Sequence, residues 1–324
     1  MNAKIVGMGA YAPEKILTNE DMEKIVETND EWIVQRTGIK KRHIAEKDEY
    51  TTDIATKAAL NALENAKMTA DEIDLIIFST VTPDCFTPSC SCVVQKNIKA
   101  VNAAAFDINS ACTGFVTGTV IAKQFIENGT YKNIMVIGAD ALSKATDYKD
   151  RGTCILFGDA AGAVIYTASE EKGILTTEIG ANGGDGNKLT SFAFRDDEEE
   201  LQKRVTPNKT FIRMDGSEVM RFAVRAMTKA ATNVCKAEGL DLSDVALIIP
   251  HQANIRIIES SAKFLKVPME KIFVNLEEYG NTSSASIPVA MCEAMEKGAL
   301  NRGDKFVIVG FGGGLSWGAA LIEY

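Results

Sequence analysis

The chain has 324 residues, 46% hydrophobic and 24% charged, with 35 basic and 44 acidic side chains and a net charge of −9. This composition suits a folded globule of one large or two ordinary domains and excludes global disorder. The acidic balance argues against nucleic-acid binding, no apolar run approaches the ~20 residues that span a bilayer, and Met1 to Ala10 shows no secretory pattern.

At the N-terminus, Gly7-Met8-Gly9-Ala10-Tyr11-Ala12 imitates a dinucleotide-binding loop. Pro13 follows, however, and no helix start is signalled before Thr18 or Asn19, so no nicotinamide cofactor is expected. His43 ends the charged run Lys40-Lys41-Arg42 and is expected in solvent. Ile73 to Ile77 reads as a buried strand. Cys85, Cys90 and Cys92 lack the spacing of a zinc site, so no metal is expected. With Cys112, Cys154, Cys235 and Cys292 the cysteines number seven, which fits free thiols in a reducing cytoplasm.

The segment Asp107-Ile108-Asn109-Ser110-Ala111-Cys112-Thr113-Gly114 sets a thiol between a strand-like run and an apolar helix. That helix, Thr113 to Glu127, stops at Asn128-Gly129 and is apolar nearly all round, which predicts burial between two sheets. A thiol at a helix N-terminus is drawn toward the thiolate by the dipole and the unpaired N–H groups. Ala111 and Gly114 permit the tight turn that presents a nucleophile. Cys112 therefore reads as a nucleophile or, as most cysteines do, as a small buried hydrophobe.

Ile134 to Gly138 is the next buried strand, and the acidic loop Asp196 to Glu200 has no evident role. Ser217 is the expected cap of a helix that runs to Lys236 and stops at Gly239. Arg221, Arg225 and Lys229 form one basic stripe along it. Pro250 ends the strand Val245 to Ile249, and Asn254 caps a helix from Ile255. His251 thus stands at the carboxyl end of a strand, where open α/β sheets build their sites, as a functional or a structural imidazole. A strand Ile272 to Asn275 precedes Tyr279-Gly280-Asn281-Thr282-Ser283, in which Asn281 is a non-titrating amide donor or an ordinary turn residue. Finally, Phe311-Gly312-Gly313-Gly314 allows backbone to approach a substrate closely.

The chain repeats itself. Ile73-Asp74-Leu75-Ile76-Ile77 resembles Val245-Ala246-Leu247-Ile248-Ile249, and Ile134 to Gly138 resembles Phe306 to Gly310, both at an offset of 172. Gly9-Ala10 matches Gly180-Ala181 at 171, and Gly162 to Ile165 matches Gly318 to Leu321 at 156, so the first half carries about 16 extra residues around Lys144 to Arg151. Residues 1–172 and 173–324 are expected to be two α/β halves with mainly parallel sheets, sharing one buried interface.

Over its whole length the sequence resembles the β-ketoacyl-acyl-carrier-protein synthase III family of thiolase-like condensing enzymes. The motifs are Asp30-Glu31-Trp32-Ile33, Arg36-Thr37-Gly38-Ile39, Ala111-Cys112-Thr113-Gly114-Phe115, Asp150-Arg151-Gly152-Thr153 and Phe157-Gly158-Asp159-Ala160-Ala161-Gly162-Ala163. His251-Gln252-Ala253-Asn254, Tyr279-Gly280-Asn281-Thr282-Ser283 and Phe311-Gly312-Gly313-Gly314 complete the set. The resemblance implies a duplicated α-β-α-β-α five-layer sandwich. It also implies that Cys112 takes an acyl group from a short acyl-CoA and that the N–H groups of Cys112 and Gly313 form the oxyanion hole. His251 and Asn281 would bind the malonyl thioester of acyl carrier protein for decarboxylative condensation. Phe311 would supply an apolar wall against the malonyl carboxylate.

By the same resemblance, Trp32 and Arg151 sandwich the CoA adenine, Arg36 and Asn254 flank the CoA path, and Arg221 and Arg256 receive the carrier protein. Thr87 lines the acyl pocket across a homodimer interface, where its small size suits branched or longer primers. No permanently bound cofactor and no membrane partner are implied. A secondary-metabolite synthase, a Cys-His-Asn hydrolase and a non-catalytic CoA-binding scaffold are the alternative readings.

Overall fold

The computed structural model describes residues 1–324. Aliphatic and β-branched runs build two sheets. Asn2–Tyr11 (β1), Leu75–Ser79 (β2), Ala104–Ile108 (β3), Asn133–Ala141 (β4) and Asp159–Ser169 (β5) form the first, in the order β1-β5-β4-β2-β3. Ile174–Ala181 (β6), Leu247–Pro250 (β7), Lys305–Gly312 (β8) and Ser316–Glu323 (β9) form the second, in the order β7-β8-β9-β6. Read from β1 and from β6, the first four strands of the five-stranded sheet correspond to the four of the second, and β3 has no counterpart strand.

The expectation of mainly parallel sheets does not hold. β2 is parallel to β3 and β4, and β7 to β8, but β5 and β9 run antiparallel to both of their neighbours. Only three residues join β8 to β9, too few for the crossover that a parallel return requires.

The expected strand Ile272 to Asn275 is reduced to a single bridge between Ile248 and Ile272. Pro250 has no N–H with which to extend a parallel ladder. The Gln252 side-chain amide takes that place. Its Nε2 donates to the Pro250 and Phe273 carbonyls at 2.7 and 3.1 Å, and its Oε1 accepts the Asn275 N–H at 3.0 Å.

Seven helices position the rest: Asp30–Thr37 (α1), Thr51–Ala66 (α2), Cys90–Asn97 (α3), Gly114–Glu127 (α4), Gly216–Ala237 (α5), Ile255–Leu265 (α6) and Ser286–Glu296 (α7). α2 and α3 cover the outer face of the first sheet, α4 and α7 lie between the sheets, and α5 and α6 cover the outer face of the second. This is the five-layer order. One apolar cluster runs from Leu75 and Val136 through Phe115 of α4 and Met291 of α7 to Ile249 and Ile308. The two halves therefore bury their inner sheet faces against a shared layer, each large side chain there contributing roughly 1.5–3 kcal/mol. The early glycines serve packing: a Cβ on Gly9 would lie 2.2 Å from the Ala62 nitrogen of α2.

Two local expectations change. Asp215, not Ser217, caps α5: its carboxylate accepts the Glu218 N–H at 3.2 Å, and Ser217 donates to the same oxygen at 2.9 Å. His43 is not in solvent. Lys41–His43 pairs with Ile16–Thr18, and strand alternation sends Arg42 inward, to 0% exposure. The His43 Nδ1 lies 2.6 Å from the Pro13 carbonyl, and its ring stacks on Tyr279 at 5.4 Å.

Candidate active site

The site is built from two copies of one turn. Asn109 Oδ1 accepts the Ala111 N–H at 3.1 Å, and 172 residues later Asn281 Oδ1 accepts the Ser283 N–H at 2.9 Å. Each turn drives the next residue into the left-handed region, Ala111 at φ +47° and Ser283 at φ +51°. That conformation costs roughly 1–2 kcal/mol for a residue with a Cβ. One 3-10 turn then leads from each into a central helix, Ala111–Thr113 into α4 and Ser283–Ala285 into α7. Cys112 rides on the first turn and Asn281 opens the second. Because the Ser283 N–H can only be met by an acceptor, the Asn281 oxygen is fixed there and its amide N–H group is free to donate.

His251 follows β7 and is 1% exposed, with Nδ1 2.6 Å from Ser286 Oγ and its ring edge-on to Phe311 at 5.3 Å. Cys112, His251, Asn281, Phe311 and Gly312 line one cavity of about 570 Å³. The walls pass Leu156, Leu189 and Met214, and the exposed Arg36, Arg151 and Arg256 stand at the mouth with Trp32 and Asn254. The three polar positions separated in sequence therefore share one chamber.

The chemical state of the thiol departs from the sequence-based expectation. Burial pushes the Cys112 thiol up to about 12, the Ser283 hydroxyl lowers it, and the Asp140 carboxylate raises it further. That Ser283 hydroxyl has no nitrogen or oxygen partner. Burial likewise drives His251 down to about 3. Desolvation by the tertiary fold thus favours the thiol and the neutral imidazole, against the pull of the helix N-terminus.

Comparison of the halves explains why the Cys112 N–H is open. Asp140 ends β4, and its Oδ2 accepts from both the N–H (3.1 Å) and the hydroxyl (2.7 Å) of Ser284, the counterpart of Cys112. The counterpart of Asp140 is Gly312, where a Cβ would come within 2.7 Å of the Cys112 nitrogen. One half fills this space with a carboxylate; the other leaves it empty beside Cys112. Gly313, the expected oxyanion-hole residue, stands one position further on, within 3.5 Å of Ala111 Cβ when a Cβ is built on it.

The residues expected along the CoA path are brought together, but Arg151 already covers the indole, its Cζ 4.8 Å from the Trp32 ring centroid and Nη1 donating to the Glu27 carbonyl at 3.1 Å. An adenine entering between the two must displace the guanidinium. Arg36 Cζ lies 5.3 Å from the same ring, and Asn254 caps α6 while its Nδ2 donates to the Arg36 carbonyl at 3.1 Å. Arg221 is exposed on α5 and paired with Glu218 at 3.2 Å, outside the cavity lining. Thr87 is on an exposed loop and does not line the cavity of its own chain.

The acidic loop also has a structural role that the sequence concealed. Glu200 is buried, pairs with Arg213 at 2.9 Å and accepts from Thr190 Oγ1 at 3.1 Å. It thereby ties together the short strands Leu189–Thr190 and Arg213–Met214, whose Leu189 and Met214 form cavity wall. Asp140 and Ser286 were missed as well, and Gly312 was read only as part of the glycine run. The offset of 172 applied to Asp140 and Gly114 points to Gly312 and Ser286.

Comparison with known proteins agrees with this architecture. Residues 106–183 match the family model 3-oxoacyl-[acyl-carrier-protein] synthase III, and residues 235–324 match the model of its C-terminal part. A β-ketoacyl-[acyl-carrier-protein] synthase III of Clostridium tetani is 49% identical over 99% of this chain and 98% of its own. One from Clostridium acetobutylicum is 48% identical over 100% and 99%. The crystal structure of 3-oxoacyl-[acyl-carrier-protein] synthase III from Aquifex aeolicus VF5 superposes with a TM-score of 0.93 at 47% identity, covering 99% of this chain and 100% of that one.

Proposed function

The chain belongs to the β-ketoacyl-acyl-carrier-protein synthase III family, the condensing enzymes that initiate fatty-acid synthesis from acyl-CoA and malonyl carrier protein, and on that premise we propose that Cys112, His251 and Asn281 carry the chemistry. The observation behind this reading is their meeting in one cavity, with side-chain-free Gly312 against the Cys112 N–H.

In the first half-reaction the Cys112 sulfur attacks the acyl-CoA thioester. A new C–S bond forms to Cys112, the bond to CoA breaks, and CoA leaves as the thiol with the proton that Cys112 gives up. The N–H groups of Cys112 and Gly313 receive the oxyanion, at ~3–4 kcal/mol of barrier per donor. In the second half-reaction malonyl carrier protein loses CO2, and the electron pair of that C–C bond becomes an enolate. His251 and Asn281 donate to its thioester oxygen, where the charge collects. Its carbon attacks the acyl group, and the Cys112 sulfur departs as a thiolate and takes a proton from solvent. The Phe311 ring beside His251 favours loss of the malonyl carboxylate, since an apolar wall solvates it poorly.

Mass mapping after incubation with labelled acyl-CoA tests the assignment. It should find the acyl group on the Cys112 peptide, discharged with CO2 release only when malonyl carrier protein is added. Release of free acid would support the hydrolase instead, and malonyl-CoA serving equally well would support the secondary-metabolite reading. The chain works, on this proposal, as a cytoplasmic homodimer in which Thr87 shapes the partner's primer pocket. Acetyl-CoA far outcompeting isobutyryl-CoA and isovaleryl-CoA in kcat/KM would remove that role for Thr87.

Two variants separate the substrates. Trp32→Ala, which removes the stacking surface at the mouth, should raise KM for acyl-CoA about ten-fold and leave KM for carrier protein unchanged. Arg256→Glu should do the reverse, because an acidic carrier protein meets a repulsive charge, and its penalty should shrink as salt rises. The overall charge of −9 makes such a local cationic mouth necessary. Arg221, with Arg225 and Lys229 beside it, would extend the same docking face. Equal carrier-protein KM in Arg256→Glu at all salt concentrations would remove the docking assignment.

A further inference from the structure

We propose that Ser286 is a positioning residue that locks His251 in the tautomer carrying its proton on Nε2, the nitrogen that donates to the enolate. The proposal rests on the reading of His251 given above and adds the group that sets its state.

Donors and acceptors meet here in a sealed space. Ser286 is 2% exposed and stands at the first position of α7. Its Oγ lies 2.6 Å from His251 Nδ1 and accepts the Gln252 backbone N–H at 3.3 Å. The Gln252 N–H can only donate. Were Nδ1 protonated, Oγ would receive two hydrogens and its own would have no acceptor, an unmet bond in a buried site. The satisfied arrangement has the Ser286 hydroxyl donating to Nδ1, which leaves the proton on Nε2. The opposite tautomer would face the enolate oxygen with a lone pair.

The other half of the chain shows the same contact without the chemistry. His251 and Ser286 correspond to Ser79 and Gly114 at the offset of 172. Ser79 Oγ is buried without a partner, and a Cβ on Gly114 would fall 1.6 Å from it. The fold therefore presses the strand end against the first helical residue in both halves, and only the second half places a donor–acceptor pair there. Gln252 holds the remaining geometry. Its side chain replaces the broken ladder after Pro250, so its backbone N–H and the preceding imidazole meet the same hydroxyl.

The chain has two histidines, so long-range proton–nitrogen NMR of the full protein labelled with 15N-histidine shows two imidazoles, and a His43→Gln sample assigns them. The expected wild-type His251 pattern is a protonated Nε2 and an unprotonated, hydrogen-bonded Nδ1. In Ser286→Ala the Nδ1 signal should move to the unbonded position or split between tautomers. Decarboxylation of malonyl carrier protein should fall about ten-fold, with Ser286→Cys, a weaker donor, intermediate in both readouts.

A wild-type proton on Nδ1, or His251 nitrogens unmoved in both variants, overturns the lock. Moved nitrogens with an unchanged decarboxylation rate overturn its part in catalysis. The premise is read separately: His251→Ala decarboxylating at the wild-type rate would sink the role of His251 itself, whatever Ser286 does to the tautomer.

Discussion

Cys112→Ala is expected to take up no acyl group from labelled acyl-CoA and to lose condensation by about 10⁴-fold or more, since no other group can form the covalent intermediate. The remaining cysteines cannot substitute. Cys90, Cys154, Cys235 and Cys292 are buried, and none of them lines the cavity. Cys85 and Cys92 are exposed and do not line the cavity. They can be labelled nonspecifically, so the adduct must be mapped to a peptide rather than counted per chain. Removing one half-buried sulfur should move Tm little, which separates lost chemistry from lost folding. An acyl adduct of full stoichiometry on folded Cys112→Ala would end the assignment.

Gly312→Ala should retain the fold and lose about 10²–10³-fold in the rate of Cys112 acylation, the scale of one oxyanion donor. The added Cβ would come 2.7 Å from the Cys112 nitrogen, closer than real Cβ contacts, and 3.2 Å from its Cα. Either the nucleophile turn or the end of β8 must give way. The turn is already held at a left-handed Ala111, so it has little freedom to adjust. KM for acyl-CoA should change much less than kcat, because the mouth residues proposed to hold the CoA are untouched. Gly183→Ala is the matched control: a Cβ there meets nothing within 4 Å, and its activity should be that of the parent. Parental acylation by folded Gly312→Ala would show that the space beside the Cys112 N–H is not used.

The sequence by itself determined the parts of this protein that depend on near neighbours in the chain. Short apolar runs, Pro250, the Asn254 cap and the Asn128-Gly129 stop marked the ends of strands and helices. Those ends put Cys112, His251 and Asn281 on strand-to-helix turns. The repeat offset of 172 was legible because insertion was confined to the stretch before Gly162, so the spacing of the other elements survived. Dihedral preference, capping and burial periodicity act over a few residues, and a sequence displays them directly.

Only the tertiary structure decided what depends on distance across the fold. It turned β5 and β9 antiparallel, replaced the strand after Ile272 by the Gln252 amide and drew Arg42 and His43 out of solvent. It also stacked Arg151 on Trp32 and set the Ser286 hydroxyl on His251. The Cys112 thiol shows the division most sharply. A helix N-terminus, visible in the sequence, favours the thiolate, whereas burial supplied by segments far along the chain pushes the Cys112 thiol up. A local dipole can be read from neighbouring residues, but desolvation is the sum of everything packed around a group, and that sum exists only once the two halves have closed on their shared layer.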